Sequence, residues 1–138
     1  MVASLSAVDV LIVDDEAFVR KTLTQMLRLA GVRSVTEAVN GRHAFSELLD
    51  VPEQQLPNLI LCDVEMDQMD GLEFLKRLRD NENEAMASIP VIITTAHTDA
   101  HTVKAAAQRQ IDGYLVKPFT AAKLVGRIEA ILGALPER

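Results

Sequence analysis

The sequence has very little cysteine and no long apolar run. Cys62 is the single cysteine among 138 residues, which excludes a disulfide within the chain and makes the reducing cytoplasm the natural compartment. No apolar run approaches the roughly 20 residues that a membrane span requires. Residues 1–6 lack the basic start and long apolar core of a signal peptide. We therefore expect a cytoplasmic protein that does not enter the membrane.

Positive charge is also scarce. The chain has 14 Lys and Arg residues against 20 Asp and Glu residues, a net charge of −6 with His neutral. Because an acidic surface repels a phosphate backbone, direct binding of nucleic acid is not expected. The length suits one domain with a core large enough to be stable without staples. We predict a single domain over residues 1–138, with its core at about 8–133.

What the sequence does contain is a regular alternation of strand-like and helix-like apolar patterns. Strands are predicted at 8–13, 34–38, 59–62, 91–94 and 111–116, with helices at about 16–30, 40–50, 70–79, 99–110 and 120–132. Strands that alternate with helices indicate a parallel sheet covered on both faces. The topology that fits best is α/β, a doubly wound five-stranded flavodoxin-like sheet in the order 2-1-3-4-5.

Several local signals predict where helices end and which side chains they bury. Gly31 is placed to end the first helix in the left-handed conformation. Asp70 and Glu73 have the spacing of a capping box, in which each side chain bonds the other residue's backbone N–H. The second helix is expected to turn Leu49 inward together with Ala44, Phe45 and Leu48.

Charged residues follow three of the predicted strands directly. The first strand ends on Asp14 and Asp15, the third on Asp63, and the fifth on Lys117 and Pro118. Parallel strands end at one edge of the sheet, so these groups meet in the crevice where such sheets bind ligands. The carboxylates would repel one another unless a cation and a phosphoryl group joined them. Phosphoryl chemistry with Mg²⁺ is therefore the leading hypothesis.

The roles follow from the chemistry of each group. Asp63 is the candidate nucleophile, since a carboxylate can attack phosphorus and form an aspartyl phosphate. Asp14 and Asp15 are candidates for holding Mg²⁺, one directly and one through water, and Lys117 supplies a cation to the phosphoryl oxygens. Each residue alone is typical of an ordinary cap or turn. Their joint occurrence at three strand ends favours the functional interpretation.

These motifs resemble those of the receiver domain of bacterial two-component response regulators, and the resemblance extends from about residue 8 to residue 132. The matching segments are Leu11–Asp15, Leu61–Met66, Met69–Gly71, Thr94–Ala96 and Lys117–Phe119. The segment after Lys117 looks closest to single-domain chemotaxis receivers, which bind a flagellar motor switch. The resemblance implies that Asp63 accepts a phosphoryl group from a sensor histidine kinase or a phosphotransfer protein.

The resemblance also implies how the site is completed. Mg²⁺ would be held by Asp14, Asp15, Asp63 and the backbone carbonyl of Glu65. Thr95 matches the hydroxyl that bonds the phosphoryl group, and Tyr114 matches the aromatic residue that turns inward when Thr95 moves.

Further expectations concern the surroundings of the site. The Lys117–Pro118 peptide matches the family's cis bond. Glu65 and His97 are expected to line the mouth and to tune the loss of the phosphoryl group. Asp67 stands where the family usually has proline, which makes the loop less stiff and more negative.

Two surfaces are candidates for binding other proteins. Phe18 lies one residue off the buried stripe of the first helix, as a contact for a phosphodonor protein or as a flank of the core. The output face for a downstream protein target would be formed by the fourth helix, fifth strand and last helix, with positive charge from His101, Lys104, Lys123 and Arg127.

Other functions remain as alternatives. A phosphatase of the haloacid dehalogenase type requires a cap domain and an Asp at position 65, where this chain has Glu65. A flavodoxin-like electron carrier conflicts with Asp14 and Asp15, which would repel a flavin phosphate.

Within the leading class, the chain is a stand-alone switch, a phosphorelay intermediate or a part of a longer regulator. The chain stops just after its last predicted helix, so no effector domain is expected within it. In all three cases we expect a phosphoacceptor that promotes its own phosphorylation and dephosphorylation, and not an enzyme with a separate substrate.

Overall fold

The strands form one parallel sheet. The computed structural model describes residues 5–66, 69–96, 104, 108 and 110–133. Within these ranges the strands are β1 (Asp9–Val13), β2 (Ser34–Ala38), β3 (Leu59–Asp63), β4 (Val91–Thr95) and β5 (Gly113–Val116). They pair in parallel in the order β2-β1-β3-β4-β5. The predicted topology is confirmed.

Helices cover both faces of this sheet. They are α1 (Ala17–Ala30), α2 (Gly41–Asp50), α3 (Gly71–Arg79), the single turn α4 (Glu84–Ala87) and α5 (Ala121–Gly133), with 3-10 turns at Leu5–Ala7 and Glu53–Gln55. None of the helices in the described ranges is long and apolar enough to cross a membrane.

The core is divided into two layers by the sheet. Alternate residues of each central strand point to opposite faces, so Ile60 packs with α2 and α3 while Leu61 packs with α1 and α5. Every residue of β3 and β4 is buried. Burial on both faces explains why these strands are continuous apolar runs in the sequence.

The ends of two helices test the predicted caps. Gly31 has φ 93° and donates its N–H to the carbonyls of Leu27 and Arg28, as expected. Asp70 accepts from the N–H of Glu73 at 2.9 Å. The reciprocal bond of the predicted capping box, from the N–H of Asp70 to the Glu73 carboxylate, is wrong. That carboxylate pairs with Arg77 at 3.2 Å instead.

Two further expectations differ from the structure. Leu49 is 57% exposed, because α2 turns the adjacent Leu48 inward and a helix rotates by about 100° per residue. The turn α4 was not predicted; it is capped by Asn83 and buries Met86. The predicted helix at 99–110 falls largely outside the described residues, of which Lys104 and Gln108 are helical and exposed.

Candidate functional site

The carboxyl ends of β1, β3 and β5 lie at the same edge of the sheet. Val13 of β1 is in register with Cys62 of β3, which brings the next residues, Asp14 and Asp63, to neighbouring positions. On the other side, the backbone N–H of Lys117 donates to the carbonyl of Thr95 at 2.7 Å. Sheet register alone therefore gathers the acids and the lysine that the sequence placed at separate strand ends.

Lys117 joins the two buried carboxylates. Its Nζ lies 3.1 Å from Oδ2 of Asp14 and 3.3 Å from Oδ1 of Asp63. The peptide bond between Lys117 and Pro118 is cis. Asp14 is only 1% exposed and Asp63 only 6%, so the ammonium is the charge that compensates two anions removed from water.

Burial shifts the ionisation of both partners. Burial raises the pKa of Asp63 to about 6, and Asp14 adds to the rise, while Lys117 and the backbone N–H of Glu65 oppose it. Burial disfavours the charged form of Lys117, but the carboxylates of Asp63 and Asp14 outweigh that effect and raise its pKa. At neutral pH Asp63 is thus a carboxylate held in an unfavourable environment, which a second cation would relieve.

An acidic turn follows β1. Carboxylate oxygens of Asp14, Asp15 and Glu16 lie within 4.8 Å of one another, and Asp15 and Glu16 are exposed. Glu16 was not singled out from the sequence. The only signal for it there was its position directly after Asp14 and Asp15. The backbone N–H of Glu16 donates to Oδ1 of Asp14 at 2.9 Å, which leaves both oxygens of Asp14 engaged.

The turn, β3 and Lys117 enclose a cavity of about 710 Å³. Its charged lining residues are Asp15, Glu16, Asp63, Glu65, Asp70 and Lys117. Hard carboxylate oxygens are the ligands that Mg²⁺ prefers, and the raised pKa of Asp63 marks an anion that lacks a full countercharge. The residues present therefore fit a hydrated Mg²⁺ ion.

The start of α3 packs closely against the end of β3 at Asp63. The N–H of Gly71 donates to the carbonyl of Val64 at 2.8 Å. A Cβ at position 71 would overlap the carbonyl oxygen of Asp63 and approach the Cα of Val64 to 2.9 Å. This contact explains why glycine follows Asp70 in a helix that begins against β3.

The remaining candidate residues lie at different depths. Thr95 is buried at the end of β4, and Glu65 is exposed at the cavity. Tyr114 is half-buried and packs against the α2–α3 layer. Asp67, His97 and His101 lie outside the described residues, so the expectation that His97 lines the mouth with Glu65 stays a prediction.

Phe18 is exposed and is not a flank of the core. Its exposed fraction is 79%, and it lines an apolar groove of about 200 Å³ with Val19, Met26, Pro118 and Phe119. Lys117 borders both this groove and the acidic cavity. The groove therefore lies next to the candidate site.

A doubly wound parallel sheet with an acid–lysine cluster at its carboxyl edge defines the class of phosphorylation-controlled signalling receivers. The family model of the response regulator receiver domain matches residues 10–129. The chain belongs to this family, and its function lies in phosphorylation-based two-component signalling.

Individual relatives give the same result. A probable chemotaxis protein CheY from Rhizobium etli is 37% identical over 93% of this chain and 95% of its own length. A transcriptional regulatory protein PrrA from Mycobacterium bovis is 35% identical over 89% of this chain, which spans only 49% of that protein. A signal receiver domain of a signal transduction histidine kinase from Syntrophus aciditrophicus superposes with a TM-score of 0.83 at 26% identity, covering 96% of this chain and 95% of that one.

Proposed function

We propose that Asp63 is the phosphoacceptor of a Mg²⁺-dependent phosphoryl transfer from a histidine kinase or a phosphotransfer protein. The observation that supports this most directly is the ammonium of Lys117 at 3.3 Å from Oδ1 of Asp63 and 3.1 Å from Asp14. An oxygen of Asp63 attacks phosphorus, the P–N bond of the phosphohistidine breaks, and the imidazole leaves with the bonding electron pair. Lys117 then stabilises the phosphoryl oxygens as charge develops on them.

The carboxylates would divide the work of holding the metal. Mg²⁺ supplies charge neutralisation at the phosphoryl oxygens when it is bound. Both oxygens of Asp14 accept hydrogen bonds, from Glu16 and Lys117, so we assign Asp14 a role through ordered water. The exposed Asp15 is better suited to direct contact, together with Asp63 and the backbone carbonyl of Glu65. Thr95 at the end of β4 would hold a phosphoryl oxygen.

Phosphorylation would act as a switch. The phosphoryl group shifts an existing equilibrium between two states through its contacts with Thr95 and Lys117, and Tyr114 follows Thr95. The output face would include β5 and α5, where Lys123 and Arg127 are exposed, together with the helix that contains Lys104. A downstream protein target would bind there. The exposed Glu65 would tune how fast water removes the phosphoryl group.

The phosphodonor protein would dock on the groove beside Phe18. A donor that presents a phosphohistidine to Asp63 must cover the mouth of the acidic cavity. The groove shares Lys117 with that cavity, so a helix from the donor would bury Phe18 in the same step. We expect this exchange to take place in the cytoplasm.

A phosphorelay role is the second candidate. In it Asp63 passes the phosphoryl group on to a histidine phosphotransfer protein. A receiver within a longer regulator also remains open, since PrrA is about twice the length that this chain matches.

The decisive experiment uses a small phosphodonor. Wild type incubated with Mg²⁺ and acetyl phosphate should gain the mass of one phosphoryl group, and Asp63→Asn should gain none. Asp50→Asn, at an exposed acid at the end of α2, is the matched control and should be labelled like wild type. Absence of labelling in wild type, or equal labelling of Asp63→Asn, would refute the assignment.

A further inference from the structure

Arg20 is an almost covered cation beside the acidic turn. Its side chain is only 14% exposed, and it lies in the first turns of α1. Nη1 donates to the backbone carbonyl of Asp14 at 2.7 Å. Nε donates to Oε1 of Glu37 on β2 at 3.1 Å. The guanidinium group thus spans from the end of β1 to the neighbouring strand.

The same residue also holds the other side of the turn. The backbone N–H of Arg20 donates to the carbonyl of Glu16 at 3.1 Å. Arg20 therefore binds the carbonyls of both residues that flank Asp15, that of Asp14 through its side chain and that of Glu16 through the first i to i−4 backbone bond of α1. The N–H of Asp14 is fixed in turn by the carbonyl of Ala38 at 3.2 Å.

This arrangement has a geometric consequence for Asp15. The carbonyl of Asp14 and the N–H of Asp15 belong to one planar peptide unit. A hydrogen bond that fixes the carbonyl therefore fixes the position of the Asp15 Cα, and the bonds made by the N–H and the carbonyl of Glu16 limit the backbone rotation that would reorient the Asp15 side chain. Mg²⁺ requires near-ideal octahedral geometry, so a carboxylate whose orientation varies binds the ion less well.

We infer that Arg20 is a positioning residue for the metal site, which holds the Asp14–Asp15–Glu16 turn so that its carboxylates converge. This inference rests on the proposed function in one respect, the assignment of Mg²⁺ to the acidic turn. Groups that orient metal ligands from behind typically change metal affinity by about 10- to 100-fold when they are removed. Arg20 itself contacts a backbone carbonyl and Glu37, and neither the metal nor the phosphoryl group.

A merely structural role for Arg20 predicts a different pattern. If Arg20 served only to tie α1 to β2, its partner Glu37 would matter equally. Glu37→Gln removes the charge pair but leaves the bond from Nη1 to the Asp14 carbonyl in place. Comparing a substitution of Arg20 with Glu37→Gln therefore distinguishes attachment of α1 to β2 from positioning of the turn.

The test is magnesium binding by titration calorimetry, combined with labelling by acetyl phosphate. Arg20→Met should weaken Mg²⁺ binding about tenfold. Its labelling should be slower at low Mg²⁺ and should return to the wild-type rate when Mg²⁺ is saturating. Arg20→Lys keeps the charge but has only one nitrogen to donate, so its Mg²⁺ affinity should lie between that of wild type and that of Arg20→Met. Glu37→Gln should stay within about twofold of wild type. The matched control is Arg33→Met, at an arginine that binds Asp9 near the opposite edge of the sheet. Its Mg²⁺ affinity should also stay within about twofold of wild type.

Each outcome separates this inference from the proposed function. Any one of three results would overturn the role of Arg20. The first is an unchanged Mg²⁺ affinity in both Arg20 variants, and the second is an equal loss of Mg²⁺ affinity in Arg33→Met or Glu37→Gln. The third is slow labelling that saturating Mg²⁺ does not restore. If Arg20→Met fails to fold, Arg20→Lys is judged by the same criteria. Wild-type protein that binds Mg²⁺ but is never labelled would refute the phosphoacceptor proposal, while the affinity ratios would still decide the role of Arg20.

Discussion

The ammonium nitrogen of Lys117 lies 3.3 Å from Oδ1 of Asp63, although 54 positions of sequence separate the two residues. The same nitrogen is 3.1 Å from Asp14. Both carboxylates are buried, so this single cation offsets two desolvated anions. The candidate site is consequently also a place where stability depends on pH and on divalent cations.

Loss of the lysine should destabilise the protein in a pH-dependent way. In Mg²⁺-free buffer at pH 8, Lys117→Met leaves two buried carboxylates without their cation, and the free energy of unfolding should fall by about 3 kcal/mol. The loss should be smaller at pH 5, where Asp63 takes up a proton. Thermal unfolding at the two pH values measures this. Lys123→Met, at an exposed lysine of α5, should change little; an equal loss at both pH values would contradict the explanation.

Removing the negative charge of Asp63 should have the opposite effect. The pKa of Asp63 is about 6 in the folded protein against a usual 3.8, so the folded state disfavours its charged form. The penalty is absent below pH 3.8, grows as pH rises towards 6 and is complete above it. Asp63→Asn should therefore stabilise the Mg²⁺-free protein above pH 7 by about 2 kcal/mol. The gain should vanish near pH 4 and shrink when Mg²⁺ is added. Asp50→Asn serves as control, and a gain that is the same at every pH would count against burial as the cause.

Two glycines in helices should respond to alanine with opposite signs. A Cβ at Gly71 would overlap the carbonyl of Asp63, whereas nothing lies within 4 Å of a Cβ at Gly126. Gly71→Ala should destabilise the protein by about 2 kcal/mol and slow its labelling, because β3 must shift. Gly126→Ala should stabilise α5 by up to about 1 kcal/mol. Urea unfolding of both variants tests the pair, and a neutral Gly71→Ala would show that the start of α3 yields easily.

Arg79 should be the most sensitive arginine of α3. Its side chain is 12% exposed and donates to the carbonyls of Ala87 and Ile89 at 2.8 and 2.7 Å. It also binds the carbonyl of Gln110 and the carboxylate of Asp112. Arg79→Ala should cost about 3 kcal/mol, since the partly buried carbonyls of Ala87 and Ile89 lose their donor and Asp112 loses its ion pair.

The neighbouring Arg77 offers a matched comparison. It makes an exposed ion pair with Glu73 one turn away, so Arg77→Ala should cost less than about 0.5 kcal/mol. Chemical unfolding of both variants measures the difference. Similar losses would mean that burial of the Arg79 contacts contributes little.

The sheet was predictable because its central strands are buried on both faces. The run Leu59–Cys62 is wholly apolar and stops on Asp63, which a parallel strand ending at a ligand site requires. Chain order and handedness then limit the topology. The proximity of Asp14, Asp63 and Lys117 follows from that topology with no side-chain information.

Other features depend on contacts between distant segments. Arg79 looks like any basic residue at a helix end until the segments around Ile89 and Gln110 close over it. Leu49 was misplaced because two adjacent leucines compete for one buried position, and helix rotation decides between them. Glu16 was missed because nothing in a third consecutive acid indicates which way its side chain turns.

Lys117 also has a second neighbourhood. Lys117 lines the groove beside Phe18, while its ammonium lies among the acids. A protein that covers Phe18 and Phe119 would therefore be one side chain away from the carboxylate of Asp63. A partner bound at this groove would then touch the same lysine whose ammonium neutralises the buried acids.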